Sequence, residues 1–592
     1  MAARKIIVVG GGLAGLAAVI KIAEAGGAVD LFSIVPVKRS HSVCAQGGIN
    51  AAKNLKGEGD TTWQHFDDTI YGGDFLANQT PVKAMCDAAP GIIDLLDRMG
   101  VPFNRTPEGL LDFRRFGGTL YNRTAFAGAT TGQQLLYALD EQVRRYEAEG
   151  KVTKYEGWEF LSAIVDGKGI TRGIVAMDLR TMEVRAFTAE AVILATGGIG
   201  AIFGKSTNSV VCTGSAQSAV FQQGVYYANG EFIQVHPTSI PGEDKLRLMS
   251  ESARGEGGRV WVPRTAGDKR AGRAVPEADR FYFLEEWYPK YGNLVPRDVA
   301  TRAIHKVVYQ MGLGIDGQPM VYLDLTHIGR QTLHHKLGGI LEIYQKFVGV
   351  DPCEEPMKIF PGMHYTMGGL WVDFNQMTNI PGLFAAGECE YQYHGANRLG
   401  ANSLVSCIFG GFVAGPNALA YAKSLPAAEG DGGAAAEVAR QVEINRKLIS
   451  NQGGENPFRL WRELGDTMTE HATVTRYNQG LKTADGKVVE LIERYQQVNL
   501  SDRSQWANTS FAFARQLKNM LELSRTITLG AILRDESRGA HYKPDFPERD
   551  DARFLKTTRA SYTGAVEGPR LELEEVDTQL IKPRPRRYDA AS

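Results

Sequence analysis

The chain has 592 residues, of which 43% are hydrophobic and 22% charged, with a formal net charge of −1. This is ordinary globular composition at a length that exceeds one core, so about two to four domains are expected. The balanced charge leaves no broad electrostatic footprint for nucleic acid, and no nucleic-acid partner is expected.

The predicted elements begin at once. "MAARKIIVVGGGLAGLAAVI" has a basic start and an apolar run, as a secretory signal does. Gly10, Gly11, Gly12 and Gly15 would weaken a signal helix, and Lys21 closes the run, so a nucleotide-binding start fits better. Lys5–Gly10 reads as a buried strand, Leu13–Ala25 as a helix and Ala28–Phe32 as a second strand, which together open a βαβ unit. Ala191–Ala195 and Leu383–Gly387 are apolar segments ending in small residues and read as strands returning to the same parallel sheet. A nucleotide domain built from distant pieces follows, with an insert at about 240–363. Within the insert, Val262–Arg280 is charged and Pro/Gly-bearing, the pattern of an exposed loop. Ser424–Glu437 is a low-complexity linker. Val438–Ile449 and Ser510–Leu523 have helical periodicity, and the tail "KPRPRRYDAAS" reads as solvated. No stretch approaches the run of about 18 apolar residues that a membrane span needs.

In Gly10-x-Gly12-x-x-Gly15 the first glycine permits a tight turn, the second lets backbone approach a pyrophosphate, and the third allows close helix–strand packing. The helix N-terminus then offers N–H groups to phosphate. The acid expected about 20 residues on is missing. Ser33 stands there and can hydrogen-bond a ribose more weakly, while alternation turns Asp30 away. FAD and NAD both remain open at this point. The six cysteines (44, 86, 212, 353, 389 and 407) form no C-x-x-C pair, so no zinc or iron–sulfur ligand set and no metal site are expected in this chain. Scattered single thiols suit a reducing compartment.

"KRSHSVCAQGGIN" (Lys38–Asn50) sets His41 between two serines, ahead of Gly47 and Gly48. This segment resembles the flavin-attachment segment of succinate dehydrogenase and fumarate reductase flavoprotein subunits. So do further segments in the same order: Arg114–Gly132, "HPTSIPGEDKLRLMSESARGEGG" (His236–Gly258), Pro296–Asp298, "HYTMGG" (His364–Gly369), "GECEYQYHGANRLGANSL" (Gly387–Leu404) and Asp535–Asp551. "GGDFLANQ" and "VPVKRSH" make it most similar to the menaquinone-linked succinate dehydrogenase type. The resemblance implies an α/β fold: a Rossmann-like FAD-binding domain (1–239 and 364–423) with an inserted α+β capping domain (240–363), a linker (424–437), a helical domain (438–540) and an extended C-terminal region (541–592). It also implies FAD bonded covalently through His41, whose electron-withdrawing imidazole makes the flavin a better oxidant, and this argues against L-aspartate oxidase.

The remaining roles come from the same resemblance. Gly10, Gly12, Ala14, Gly15, Ser33, Lys38, Ser40, Gly47, Gly48, Thr196, Gly197, Glu388, Arg398, Ser403 and Leu404 would hold the cofactor. Arg398 and His364 would bind one carboxylate of a four-carbon dicarboxylate, and His236 and Ser250 the other, with Phe116 packed on its carbons. Arg297 would move the proton through Glu251 and Arg254, a relay that makes its neutral form transient. Two departures stand out: Ser215 replaces an Asp of the family's flavin contacts, and Ser250 replaces a threonine but keeps the hydroxyl. A chain with no cluster ligands implies a separate iron–sulfur subunit and a cytochrome b-type membrane anchor. That would place the chain peripherally at the cytoplasmic face of the cell membrane. Fumarate reduction uses the same groups in reverse; an assembly protein holding FAD structurally and a soluble flavin oxidase are the other readings.

Overall fold

The computed structural model describes residues 4–242, 246–425 and 433–588. Its first strand, Lys5–Val9 (β1), has Ile6, Ile7 and Val8 fully buried, as suits a strand covered on both faces. The chain turns at Gly10, where φ is +117° and an added Cβ would lie 2.0 Å from the Ala195 carbonyl oxygen. Helix Leu13–Glu24 (α1) follows, held against the turn because a Cβ on Gly15 would sit 1.8 Å from the Gly10 oxygen. Strand Ala28–Ser33 (β2) then returns beside β1. Helices Thr62–Gly72 (α2), whose N-cap Thr61 hydroxyl accepts from the Gln64 N–H, and Gln79–Arg98 (α3) pack on the α1 side.

Strands Val152–Glu156 (β3), Ala191–Leu194 (β4) and Leu383–Ala385 (β5) complete a sheet in the order β5–β4–β1–β2–β3 with every neighbour parallel. The two distant returning strands expected from their small-residue ends thus flank β1 on one side. Helix Asn402–Ser424 (α4) covers the sheet beside α1. Its Gly411 sets the approach, since a Cβ there would fall 2.3 Å from the Ala14 oxygen. α4 is long and apolar enough to cross a membrane by length and composition, and 56% of its most apolar 18-residue stretch is buried in the fold, as in the core helix of a globular protein. The expectation of no such stretch is corrected. Glycines, Pro416 and Asn417 interrupt the apolar run, yet the 23-residue helix is apolar on average.

The insert is entered and left through two antiparallel strands, Ile233–Ile240 and Met357–Thr366, which begin before residue 240 and end after 363. They belong to a six-stranded sheet packed against helices Arg297–His305 and Arg330–Val348 around a core of its own. Most of the loop 264–279 is exposed, though Gly272 and Val275 are buried. Between 434 and 533, four helices run Ala434–Ser450, Pro457–His471, Asn478–Tyr495 and Thr509–Leu533. Asn456 before Pro457 is a local start signal: its side chain accepts from the Phe458 and Arg459 N–H groups. Of the expected 424–437 linker, 426–432 lie outside the described residues, while Ser424 ends α4 and Ala434–Glu437 already belong to the next helix, so the linker is shorter than expected. Residues 243–245 within the His236–Gly258 segment also lie outside the described residues.

One further expectation fails. The described part of the tail, to residue 588, is tied down despite exposed Lys582, Arg584, Pro585 and Arg587: the Arg586 side chain is 6% exposed, Tyr588 is buried, and Arg584 pairs with Asp67, while 589–592 lie outside the described residues. The acidic partners of these arginines lie hundreds of residues upstream, where local composition carries no sign of them.

Candidate active site

A cavity of ≈ 430 Å³ opens between the parallel sheet and the insert. The glycine turn, β2's end, the 40–48 loop and the start of α4 bring Gly10, Gly12, Ala14, Ser33, Ser40, His41, Gly47, Gly48, Ser403 and Leu404 to its wall. Thr196, Gly197, Glu388 and Arg398 join them. Three expected residues stand elsewhere. Gly15 packs α1 on the turn, in keeping with the separate job of the third glycine. Lys38 is not on the wall; its amine sits 4.9 Å over the Tyr137 ring, near Asp140 and Glu141. Arg254 lies one shell back, behind Glu251. Asp30 pairs with Lys5 at 2.6 Å and faces away, as alternation predicts.

From the insert come Ser250, Glu251 and Arg297, with His236 and His364 on the two entry strands. The pairing of those strands slips by one residue: Gln234 faces Tyr365 while Val235 faces Met363. His364 is the extra residue of this bulge, which aims its ring beside that of His236, 4.8 Å between centroids. Thr207 Oγ1 lies 2.8 Å from His364 Nδ1. Thr238 engages His236 Nδ1, leaving His236 Nε2 buried with no hydrogen-bond partner. Burial, reinforced by nearby guanidinium groups, drives both imidazoles well below their ordinary range, so both are neutral at pH 7.

Glu251 is the hub of the charged side. Its Oε2 accepts from Arg297 Nε and lies 2.9 Å from Nη2, and its Oε1 accepts from Arg254 Nη2 at 2.6 Å. Burial alone would raise its carboxyl, but Arg297 and Arg254 outweigh burial and hold it below the usual range. Arg297 Nη1 also donates to Gln234 Oε1 at 3.0 Å. Arg398 stands over the Tyr365 ring, 4.4 Å to the centroid, with its Nε unpartnered; burial and then Arg297 bring it down to about 9. Arg247, Arg297 and Arg398 line the cavity against Glu159, Glu251 and Glu388, and because burial raises Glu159 and Glu388 each to about 7, the balance at neutral pH is positive, which suits a small dianion.

Phe116 closes the carbon side, and Gly47 admits its ring: a Cβ there would meet it at 2.5 Å. Sequence reasoning missed Gln234, Tyr365 and the pair that steadies His41. The Ser209 N–H donates to His41 Nδ1 at 3.2 Å, and Asn208 Nδ2 lies 3.4 Å from Nε2. Gln234 carried a signal, since the two-residue period puts it on the same face as His236.

The donor set fits a flavin dinucleotide. The glycine turn leaves room for a pyrophosphate, the α4 N-terminus presents N–H groups, and the buried Ser40 and Thr196 hydroxyl oxygens have no hydrogen-bond partner among the described residues. Comparison with known proteins agrees. The FAD binding domain family matches residues 5–404, and the fumarate reductase flavoprotein C-terminal family matches 461–588. The succinate dehydrogenase flavoprotein subunit of Bacillus subtilis is 63% identical over 591 residues, 99% of either chain. The fumarate reductase flavoprotein subunit of Escherichia coli is 36% identical, covering 98% of this chain and 95% of its own. A solved structure of a mutated E. coli quinol fumarate reductase superposes with a TM-score of 0.90 at 34% identity, covering 100% and 99% of the two chains.

Proposed function

This chain belongs to the FAD-dependent family of succinate dehydrogenase and fumarate reductase flavoprotein subunits, and we propose that it oxidises succinate to fumarate with FAD bonded to His41. The observation that carries the reading is convergence: Arg297, Arg398, His236 and His364 meet around the cavity that His41 and the glycine turn also line. The glycine turn, Ser40, Thr196 and the start of α4 would hold FAD, which would supply the acceptor for the hydride leaving one methylene of succinate. Everything else falls to side chains of this chain. Arg398 forks onto one carboxylate with His364 beside it, and His236 Nε2 with Ser250 serves the other. Phe116 keeps water from the central carbons. Arg297 takes the proton from the second methylene as the double bond forms. Arg297 is readied for this by first handing a guanidinium proton to the Glu251 carboxylate across 2.9 Å; Glu251 passes it along the 2.6 Å contact to Arg254 as Arg254 sheds a proton outward, so the neutral guanidine that receives the substrate proton is short-lived. Fumarate reduction runs the same groups backwards, a second reading with which the E. coli relatives are consistent. For attachment, the Ser209 N–H on His41 Nδ1 and the Asn208 amide near Nε2 would orient the ring toward the flavin.

As a subunit, the chain would pass electrons to an iron–sulfur partner and a cytochrome b-type anchor, at the cytoplasmic face of the membrane. The test is anaerobic. Succinate should bleach the flavin of the purified chain, malonate should compete, and yellow colour should stay with acid-precipitated protein. Absence of bleaching together with absence of malonate binding overturns the reading. The ratio of succinate oxidation to fumarate reduction with a low-potential quinone in the intact complex decides the direction.

A further inference from the structure

The C-terminal segment crosses from one lobe to the other. On the flavin lobe, Asp577 accepts from the Thr80 N–H at 2.9 Å, Arg584 forks onto Asp67 of α2, and the Arg587 N–H donates to Tyr71 Oη at 2.6 Å. On the insert, Arg586 forks onto Asp298 at 2.6 and 3.0 Å, with the two side chains only 6% and 2% exposed. The Tyr588 ring packs 5.2 Å from that of Tyr291.

Asp298 follows Arg297 in the first turn of the Arg297–His305 helix. Its Oδ1 also accepts from Asn397 at 3.1 Å, and Asn397 precedes Arg398. Asn397 in turn takes a hydrogen bond from Gln234, whose other end accepts from Arg297. The carboxylate that Arg586 grips is therefore joined to both substrate-facing arginines, by one peptide on one side and by a short polar chain on the other. A planar, buried, two-point fork restrains angle as well as distance, which a single contact does not. The other cation on Asp298, Arg302, makes one contact at 3.2 Å and is 29% exposed.

We infer that Arg586 is a positioning residue for proton transfer: the C-terminal segment straps the insert to the flavin lobe, and its guanidinium fixes the first turn that aims Arg297. This rests on the reading of Arg297 as the proton-moving group. Removing the fork leaves Asp298 with weaker partners and lets the turn drift, and drift of about 1 Å near a reacting bond costs on the order of 100-fold in rate.

The experiment uses the full flavin-loaded protein. The parent is first shown to bleach with succinate, which tests the underlying reading by itself. In R586A, kcat per bound flavin should fall about 10- to 100-fold, with malonate affinity changing far less. R586K, which keeps a cation but loses the fork, should recover part of the loss. Hydrogen exchange over 297–305 should speed up in the same order. Parental kcat in R586A would overturn the inference. So would a loss that vanishes when rates are normalised to bound flavin, because that is the signature of a merely structural role. If R586A does not accumulate, R586K and R586Q carry the same comparison.

Discussion

Two buried ion-pair clusters in this protein look alike and serve different ends. One joins Arg297, Glu251 and Arg254; the other joins Glu231, Arg534, Glu536 and Arg538, with separations of 2.8 to 2.9 Å and side chains at most 1% exposed. The second ties the C-terminal helices to the flavin lobe: Arg534 also donates to the Phe554 and Lys556 carbonyls, and Glu231 accepts from Thr558. None of its four members lines the cavity. Burial and charge pairing therefore do not identify a reactive group. What distinguishes the first cluster is that Arg297 and Glu251 reach a cavity that also holds buried donors without partners.

The contrast breaks most visibly at Arg297. R297K should lose turnover by a factor on the order of 10²–10⁴ while still binding malonate, as stopped-flow flavin reduction and ligand titration would read. E536Q should do the reverse. Removing one charge from a buried network costs about 3–5 kcal/mol of stability, seen in urea melts, while kcat per folded, flavin-loaded molecule stays at the parental value. R398K lies between the two: losing a charge-assisted fork of about 1.5–3 kcal/mol should weaken malonate binding with little effect on the melt.

The smallest effect comes from histidine. His236 and His364 in the site and His541 in the scaffold are all held well below the ordinary 6.5 by burial. Below pH 6.5 the unfolded chain takes up protons that the folded chain refuses, so stability falls as pH falls. Each such group contributes up to about 1.4 kcal/mol per pH unit. Melts between pH 6.5 and 5.5 should show this slope. Saturating malonate should relieve the share of His236 and His364, because a dianion favours their charged forms, and should leave that of His541 in place.

Much of the flavin lobe was legible because its signals are local. Gly10 and Gly15 are demanded by backbone contacts, and strand–turn–helix order follows from apolar runs. The meeting of His41, His236, Arg297 and Arg398 was legible only through long motifs, because the parts come from segments hundreds of residues apart. Lys38 was named only through the family motif, and its short 3₁₀ turn sets its amine by Tyr137 and Asp140, off the cavity wall. The tail misled for the opposite reason: Pro and Arg resemble a solvated end until Asp67 and Asp298 are brought beneath them. The bulge at His364 had no local mark.

Gly117 sits where the lobes touch. A Cβ there would lie 2.0 Å from Glu251 Oε1, and the next residue, Gly118, donates its N–H to the Leu294 carbonyl of the insert. A single methyl at position 117 would have to displace the Glu251 carboxylate or part the lobes. A gap at that seam admits dissolved oxygen to a reduced cofactor, so G117A should turn a dehydrogenase toward peroxide release in aerated buffer. The tightness of that seam is what keeps electrons on their intended route.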